Sequence, residues 1–326
     1  MSKDQSNPAS TFKGLDLSLT ELQAKIEEFL QEYLRERRPE TMRTYQRALR
    51  EFERWFARQK GVFKFRLEDI EAYKTYLMEE RKLHQVSVST YLTSVRRLCQ
   101  FMVDIGDLPE NPARTVKGNR RPREHSRKVL SQEEVDQLTA SFDTITQIGK
   151  RDQAMMFAML YAGIGEIEIV RADMQDLTQD MNSQDMNGGW VLWIQGKGRT
   201  EKDQNVTIDP IVMDKIRLYL DTRGRIRPED PLFASHGYRF DGERLNTRTV
   251  RGRVNEALKT ANLKDRGFTP HSLTHTAAML WIKQGISIEE LKLRMRHGTL
   301  ETTLIYLRKA GIEPMLGGGK TVEIEE

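Results

Sequence analysis

Apolar residues recur at helical intervals along most of the chain. In residues 19–34, Leu22, Ile26, Phe29 and Leu30 repeat at steps of three and four, with Ser18 or Thr20 available as the N-cap. Pro39 suits the first position of a second helix, in which Tyr45, Leu49, Phe52 and Phe56 form one stripe while Arg43, Arg47, Arg50, Arg54 and Arg58 occupy other faces. Residues 67–83 predict a third helix. Residues 87–105 predict a fourth, with Val88, Tyr91, Leu92, Val95, Leu98 and Met102 turned to a core. Gly106, with Pro109 and Pro112 flanking Asn111, stops the pattern, so the first domain is expected to be an all-helical bundle. A second core begins at Ser131, whose spacing to Glu134 fits a capping box, and the nearly continuous apolar run 152–162 suits a buried helix. Residues 190–194 and 205–208 read as strands flanking Gly196, Lys197 and Gly198, and helical spacing returns over 248–261, 275–284 and 288–294. The expected fold is mainly α with a small β-sheet: a helical domain followed by a mixed α+β domain.

A length of 326 residues agrees with two cores. The divisions expected are a disordered leader at 1–18, the helical domain at 19–113, a linker at 114–128, the mixed domain at 129–316 and, after the Gly317, Gly318 and Gly319 joint, a flexible tail at 317–326. No apolar run approaches the roughly 18 residues of a membrane span, the first residues lack the apolar core of a secretory signal, and Cys99 is the single cysteine. A reducing cytoplasm is the expected compartment. The net charge of +4 is uneven: up to Lys128 there are 26 Lys and Arg against 19 Asp and Glu, and beyond it 26 against 29. The first part is therefore basic and the second slightly acidic. A concentrated positive charge suits the phosphate backbone of double-stranded DNA, although a solvated surface produces the same count. The candidate contacts are Arg43, Arg47, Arg50, Ser87, Ser89, Tyr91, Arg96 and Arg97 on the helices and Arg120, Arg121 and Arg123 in the linker. Ser87 and Ser89 also have a plain reading as helix caps, and the arginines as solvated faces.

The chemistry-bearing region is His271-Ser-Leu-Thr-His275-Thr, then Gly285-Ile-Ser, then Arg296-His297-Gly-Thr-Leu-Glu-Thr-Thr-Leu-Ile-Tyr306. It resembles the tyrosine recombinases, the phage integrase family, which carry a His-x-x-Arg-His-Thr box, a second histidine, and a nucleophilic tyrosine nine residues beyond it. His297 and Tyr306 have that spacing. Asn111-Pro112-Ala113 resembles the end of that family's helical, SAM-like core-binding domain, and Gly196-Lys197-Gly198 its β-hairpin lysine turn. The resemblance implies a core-binding domain followed by a catalytic domain, acting in recombination, integration or transposition of mobile DNA. It implies Tyr306 as nucleophile forming a 3′-phosphotyrosine, Lys197 as general acid, His271 and His297 on the phosphate, and His275 as a hydrogen-bonding neighbour. It implies no cofactor, no metal, double-stranded DNA as partner, and a homo-oligomer on DNA or a complex with another recombinase.

Two positions depart from the pattern. Gly165, in Gly163-Ile-Gly-Glu-Ile-Glu168, stands where the family has its first arginine, and Thr274 stands at its second. Neither supplies a guanidinium fork. Impaired or partner-dependent cleavage is therefore expected, with a catalytically inactive DNA-binding regulator as the alternative. Arg171, Arg294 and Arg296 are candidates to supply the missing charge, and Glu166 would oppose it if it faced the site. From another class, His271, His275 and His297 suggest a zinc hydrolase, but Ser272 stands where its general-base glutamate belongs.

Overall fold

In the computed structural model the described residues are 14–33, 35, 39–59, 63–118, 128–180, 189–196, 198–238 and 241–311. The chain divides into two units, Met1–His125 and Ser126–Glu326.

The first unit is helical. Ser18 caps α1 (Leu19–Glu28) in a capping box with Glu21, and one wider turn, Phe29–Tyr33, follows. The long basic helix α2 (Pro39–Arg58) forms as its stripe predicts. Helix α3 (Leu67–Glu79) stops short of the expected residue 83, because Lys82 turns left-handed at φ 47°. Helix α4 (Gln85–Asp104) begins two residues early, capped by the His84 ring, so Ser87 and Ser89 lie inside it and not at its N-cap. The core packs Leu22, Phe29, Leu49, Phe52, Tyr73, Leu77, Leu92 and Leu98. Its aromatic centre is held edge-on, with Phe52 and Tyr73 rings 5.0 Å apart and Phe63 and Phe65 4.7 Å apart. Glu51 is buried there and takes the Tyr76 hydroxyl at 2.7 Å and Arg81 at 2.8 Å, as a buried carboxylate requires. At the end of the bundle the Asn111 side chain donates to the Arg96 carbonyl (3.0 Å) and accepts from the Ala113 amide (3.0 Å), which closes the turn its prolines begin.

The second unit surrounds α6 (Gln147–Tyr161), in which residues 151–160 are all buried. The buried Arg151 and Asp152 in this run pair with each other at 2.6 Å, and Arg151 also donates to the Ala234 carbonyl at 3.0 Å. Ser131 caps α5 (Gln132–Ala140) in the capping box that its spacing to Glu134 predicts. After the short α7 (Glu166–Arg171) comes a three-stranded antiparallel sheet of order β1-β2-β3, made of Leu177–Asp180, Gly189–Ile194 and Gln204–Ile208. The two predicted strands pair with Trp190 opposite Ile208. β1 is an unforeseen third, since Leu177-Thr-Gln-Asp is polar and short. Helix α8 (Pro210–Leu220) is not among the predicted elements, and α9 (Thr247–Thr260) is.

Helix α10 (Pro270–Lys283) starts five residues before the predicted 275, because Pro270 takes the first helical position, where its missing N–H costs nothing. This brings the whole His271–Thr276 box onto one helix. The unit ends with α11 (Ile288–Arg294) and an unpredicted α12 (Leu300–Lys309). These last three helices share a small core of Ala277, Ala278, Trp281, Ile282, Leu291, Tyr306 and Leu307. Tyr306 is thus placed by packing and not by a loop.

Candidate active site

Tyr306 is 7% exposed on α12, with its ring 5.8 Å from that of His297 in a near-parallel stack and 5.4 Å from that of His275. Its hydroxyl makes a short hydrogen bond with Nδ1 of His275, a buried residue on α10. A phenol held against an imidazole is a nucleophile with a base in reach. His297 lies in the turn between α11 and α12, and its Nδ1 is engaged by the hydroxyl of fully buried Thr303 at 3.0 Å. Nε2 is left as the atom able to meet a phosphate. Burial, and then the adjacent Arg296 charge, push the His297 imidazole below its ordinary pKa, which favours the neutral ring. His271 is exposed on the first turn of α10, one turn before His275, and Thr274 is half-buried on the same helix.

The carboxylate of Glu168 joins the other elements. It accepts the backbone N–H of Gly165 at 2.6 Å, capping the start of α7. It also receives the Arg296 guanidinium on both oxygens, at 3.1 Å from Nε and 2.8 Å from the terminal nitrogen. Arg296 donates further to the carbonyls of Gly163 (2.8 Å) and Arg294 (2.6 Å), and it adopts φ 56° to do so. Gly163 can bear no side chain here: its φ is 61° and a Cβ would come 2.8 Å from the Trp281 ring. Gly196 approaches the same carboxylate, since a Cβ on it would lie 3.8 Å from Glu168 Oε1. Arg171, at the end of α7, donates to the carbonyls of Gln195 (3.4 Å) and Gly196 (3.1 Å), fastening the β2–β3 turn. Lys197 lies outside the described residues; Gly196 and Gly198 on either side of it are described.

Of the arginines expected to replace the missing pair, Arg296 is drawn in by Glu168. Arg294 is turned away, bonded to Glu290 at 2.8 Å and lying over the Trp281 ring. Glu166 is neutralised by Arg251 of α9, a partner that sequence spacing does not reveal across 85 residues. Thr303 escapes sequence reasoning too, since a threonine six residues past a histidine carries no signal. Among the described residues, no group of three His, Cys, Asp or Glu side chains could hold a metal ion.

In the first unit, Arg43, Arg47 and Arg50 are exposed on α2 and Arg97 on α4. Arg96 is engaged internally, donating to the Ala113 (3.0 Å) and Val116 (2.7 Å) carbonyls. Tyr91 packs against the core, and Ser87 and Ser89 are half-buried, with Gly118 lying close against Ser89. Arg120, Arg121 and Arg123 lie outside the described residues, as does the tail from residue 312.

The first unit is helical, the second sets helices around a three-stranded sheet, and a tyrosine is packed between two histidines. The profile of the phage integrase family matches residues 128–311, and that of the phage integrase N-terminal SAM-like domain matches residues 26–106. The chain belongs to the phage integrase family, the tyrosine recombinases that act in site-specific recombination. Tyrosine recombinase XerC of Chlamydia pneumoniae is 30% identical over 242 residues, covering 74% of this chain and 73% of that protein. Tyrosine recombinase XerD of Listeria monocytogenes is 26% identical over 291 residues, covering 86% and 92%. Among solved structures, XerH recombinase in a post-cleavage complex with its difH substrate superposes with a TM-score of 0.67 at 16% identity, over 90% of this chain and 81% of that one. A lambda integrase dimer bound to a core site gives 0.64 at 14%, over 93% and 99%. These two likenesses show the fold.

Proposed function

We propose that the chain binds double-stranded DNA and takes part in site-specific recombination through Tyr306, with strand cleavage that is weak alone or completed by a partner subunit. The observation that carries this reading is the Tyr306 hydroxyl held on His275 and stacked on His297. In the proposed step the Tyr306 oxygen attacks a backbone phosphorus while its proton passes to His275. The bond to the 5′-oxygen breaks, Lys197 supplies the proton to that leaving oxygen, and a 3′-phosphotyrosyl linkage remains. The 5′-hydroxyl of another strand reverses the step, so the linkage itself conserves the energy and no energy cofactor is needed. His271 and the Nε2 of His297 meet the nonbridging oxygens. The duplex is engaged by Arg43, Arg47, Arg50 and Arg97 and by the linker arginines 120, 121 and 123. The active assembly is a homo-oligomer on DNA or a complex with a second recombinase, in the cytoplasm.

Weak cleavage follows from two observations. Gly165 and Thr274 offer no guanidinium to the phosphate, and Tyr306 is 7% exposed, so its hydroxyl must emerge before it can meet a backbone. The same two facts favour the second reading, a regulator that binds without cutting. A nicked suicide substrate separates the two. Covalent protein–DNA complex at a low level with the natural chain, abolished by Tyr306→Phe, is the expected result. Tight binding with no covalent complex, alone or with an added recombinase, would establish the regulator.

A further inference from the structure

Arg251 is a guanidinium with donors to spare that is paired to Glu166, the residue that follows the vacated position Gly165. It lies on α9, and its Nε and one terminal nitrogen both reach the same oxygen of Glu166 at 2.9 Å. Glu166 is only 6% exposed, whereas the Arg251 side chain is 56% exposed. Two of the five N–H donors are used, and the others have no partner among the described residues. Arg296 is the contrary case. Its side chain is 10% exposed and its donors go to Glu168, Gly163 and Arg294, so it fixes the turn before His297 and has little left for a ligand. Of the neighbouring arginines on α9, Arg253 is turned to Asp152.

We infer that Arg251 is the residue that carries the scissile phosphate's charge in this chain, held beside the Gly165 position by Glu166. The inference rests on the reading of Tyr306 as the nucleophile and deepens it by naming the cation. Position and charge both follow from the pair. Glu166 pins a long side chain that would otherwise lose rotamer freedom on meeting DNA. It also cancels much of the positive charge, so the arginine meets the phosphate more weakly than an unshared one would. Weak cleavage is the consequence, in agreement with the loss at Gly165 and Thr274.

The test uses two variants that break the same ion pair. If the pair is only structural, Arg251→Ala and Glu166→Gln damage the protein alike, and covalent complex on the suicide substrate falls in both. If Arg251 serves the phosphate, the two move in opposite directions: Arg251→Ala lowers the yield about 10²-fold, and Glu166→Gln, which frees the guanidinium, raises it. The double variant Arg251→Ala with Glu166→Gln, which leaves no buried carboxylate unpaired, should stay as low as Arg251→Ala alone. A second readout needs no cleavage. Each phosphate left without its cation lowers the slope of log affinity against log salt by about 0.9, so Arg251→Ala should shallow it and Glu166→Gln should not. If the natural chain binds and never cleaves, the cutting reading fails, and this slope still decides the role of Arg251. Equal losses in both variants, or an unchanged slope with Arg251→Ala, would overturn the inference.

Discussion

Glu168 and Arg296 form the ion pair on which the geometry of the site most depends. Their side chains are 8% and 10% exposed, and the carboxylate also caps α7 through Gly165. Removing one partner strands a buried charge, which costs about 3–5 kcal/mol. Glu168→Gln should therefore lower the unfolding free energy from a urea titration by a matching amount, and a loss below about 1 kcal/mol would mean that Arg296 finds other acceptors. His297 makes a prediction in pH. Its folded pKa lies below the ordinary value, so between that ordinary value of about 6.5 and the lower folded one the unfolded chain binds more protons than the folded chain. The stabilisation is complete above the unfolded pKa and is lost as pH falls towards the folded one. His236, also held low by burial, acts in the same sense. His297→Gln should reduce the drop in unfolding free energy as pH falls from about one unit above the ordinary histidine value to about one unit below it, and His236 should retain part of that drop. An undiminished drop would show that His297 is protonated in the folded chain.

Between elements, Arg171 has the clearest task, tying the end of α7 to the carbonyls of Gln195 and Gly196 and so fixing the turn that carries Lys197. If Lys197 is the proton donor as proposed, misplacing it costs rate and not affinity. Arg171→Ala is expected to lower covalent complex about 10²-fold while leaving the dissociation constant for duplex DNA unchanged; weakened binding would assign Arg171 to the DNA surface instead. The elements also show what is legible in advance. Strong stripes such as those of α2 and α4, and the capping box of Ser131, can be read because local spacing sets them, whereas spacing leaves Ser18 and Thr20 both open as the cap of α1. The start of α10 cannot, since its first turn is polar and only Pro270 at the first helical position marks it. α8, likewise opened by a proline, and α12 escape the pattern, as does β1, whose four residues have no alternation to detect. At the site, His297 and Tyr306 are picked out by their nine-residue spacing and His275 by its place in the His271–Thr276 box. Arg251 with Glu166 and His297 with Thr303 are not, because tertiary packing alone brings those pairs together.

Across the whole molecule, positive charge is concentrated before residue 129, and the basic stretch 114–128 stands between the two parts of the chain. Replacing Arg120, Arg121 and Arg123 together with alanine should shallow the salt dependence of DNA binding by about 0.9 in logarithmic slope for each phosphate no longer neutralised. An unchanged slope would remove the linker from the interface. The central claim is that the nucleophile is in place and that missing guanidinium charge limits the chemistry. Gly165 has a φ of −82°, which any residue adopts, and a Cβ there would sit 3.4 Å from Glu168 Oε2, close but tolerable. The direct measurement is the amount of end-labelled nicked duplex joined covalently to Tyr306 in the natural chain and in the double variant Gly165→Arg with Thr274→Arg. The account predicts little complex with the first, a gain of about 10²-fold or more with the second, and none once Tyr306→Phe is added. Strong cleavage by the natural chain, or none from a folded, DNA-binding double variant, would contradict it.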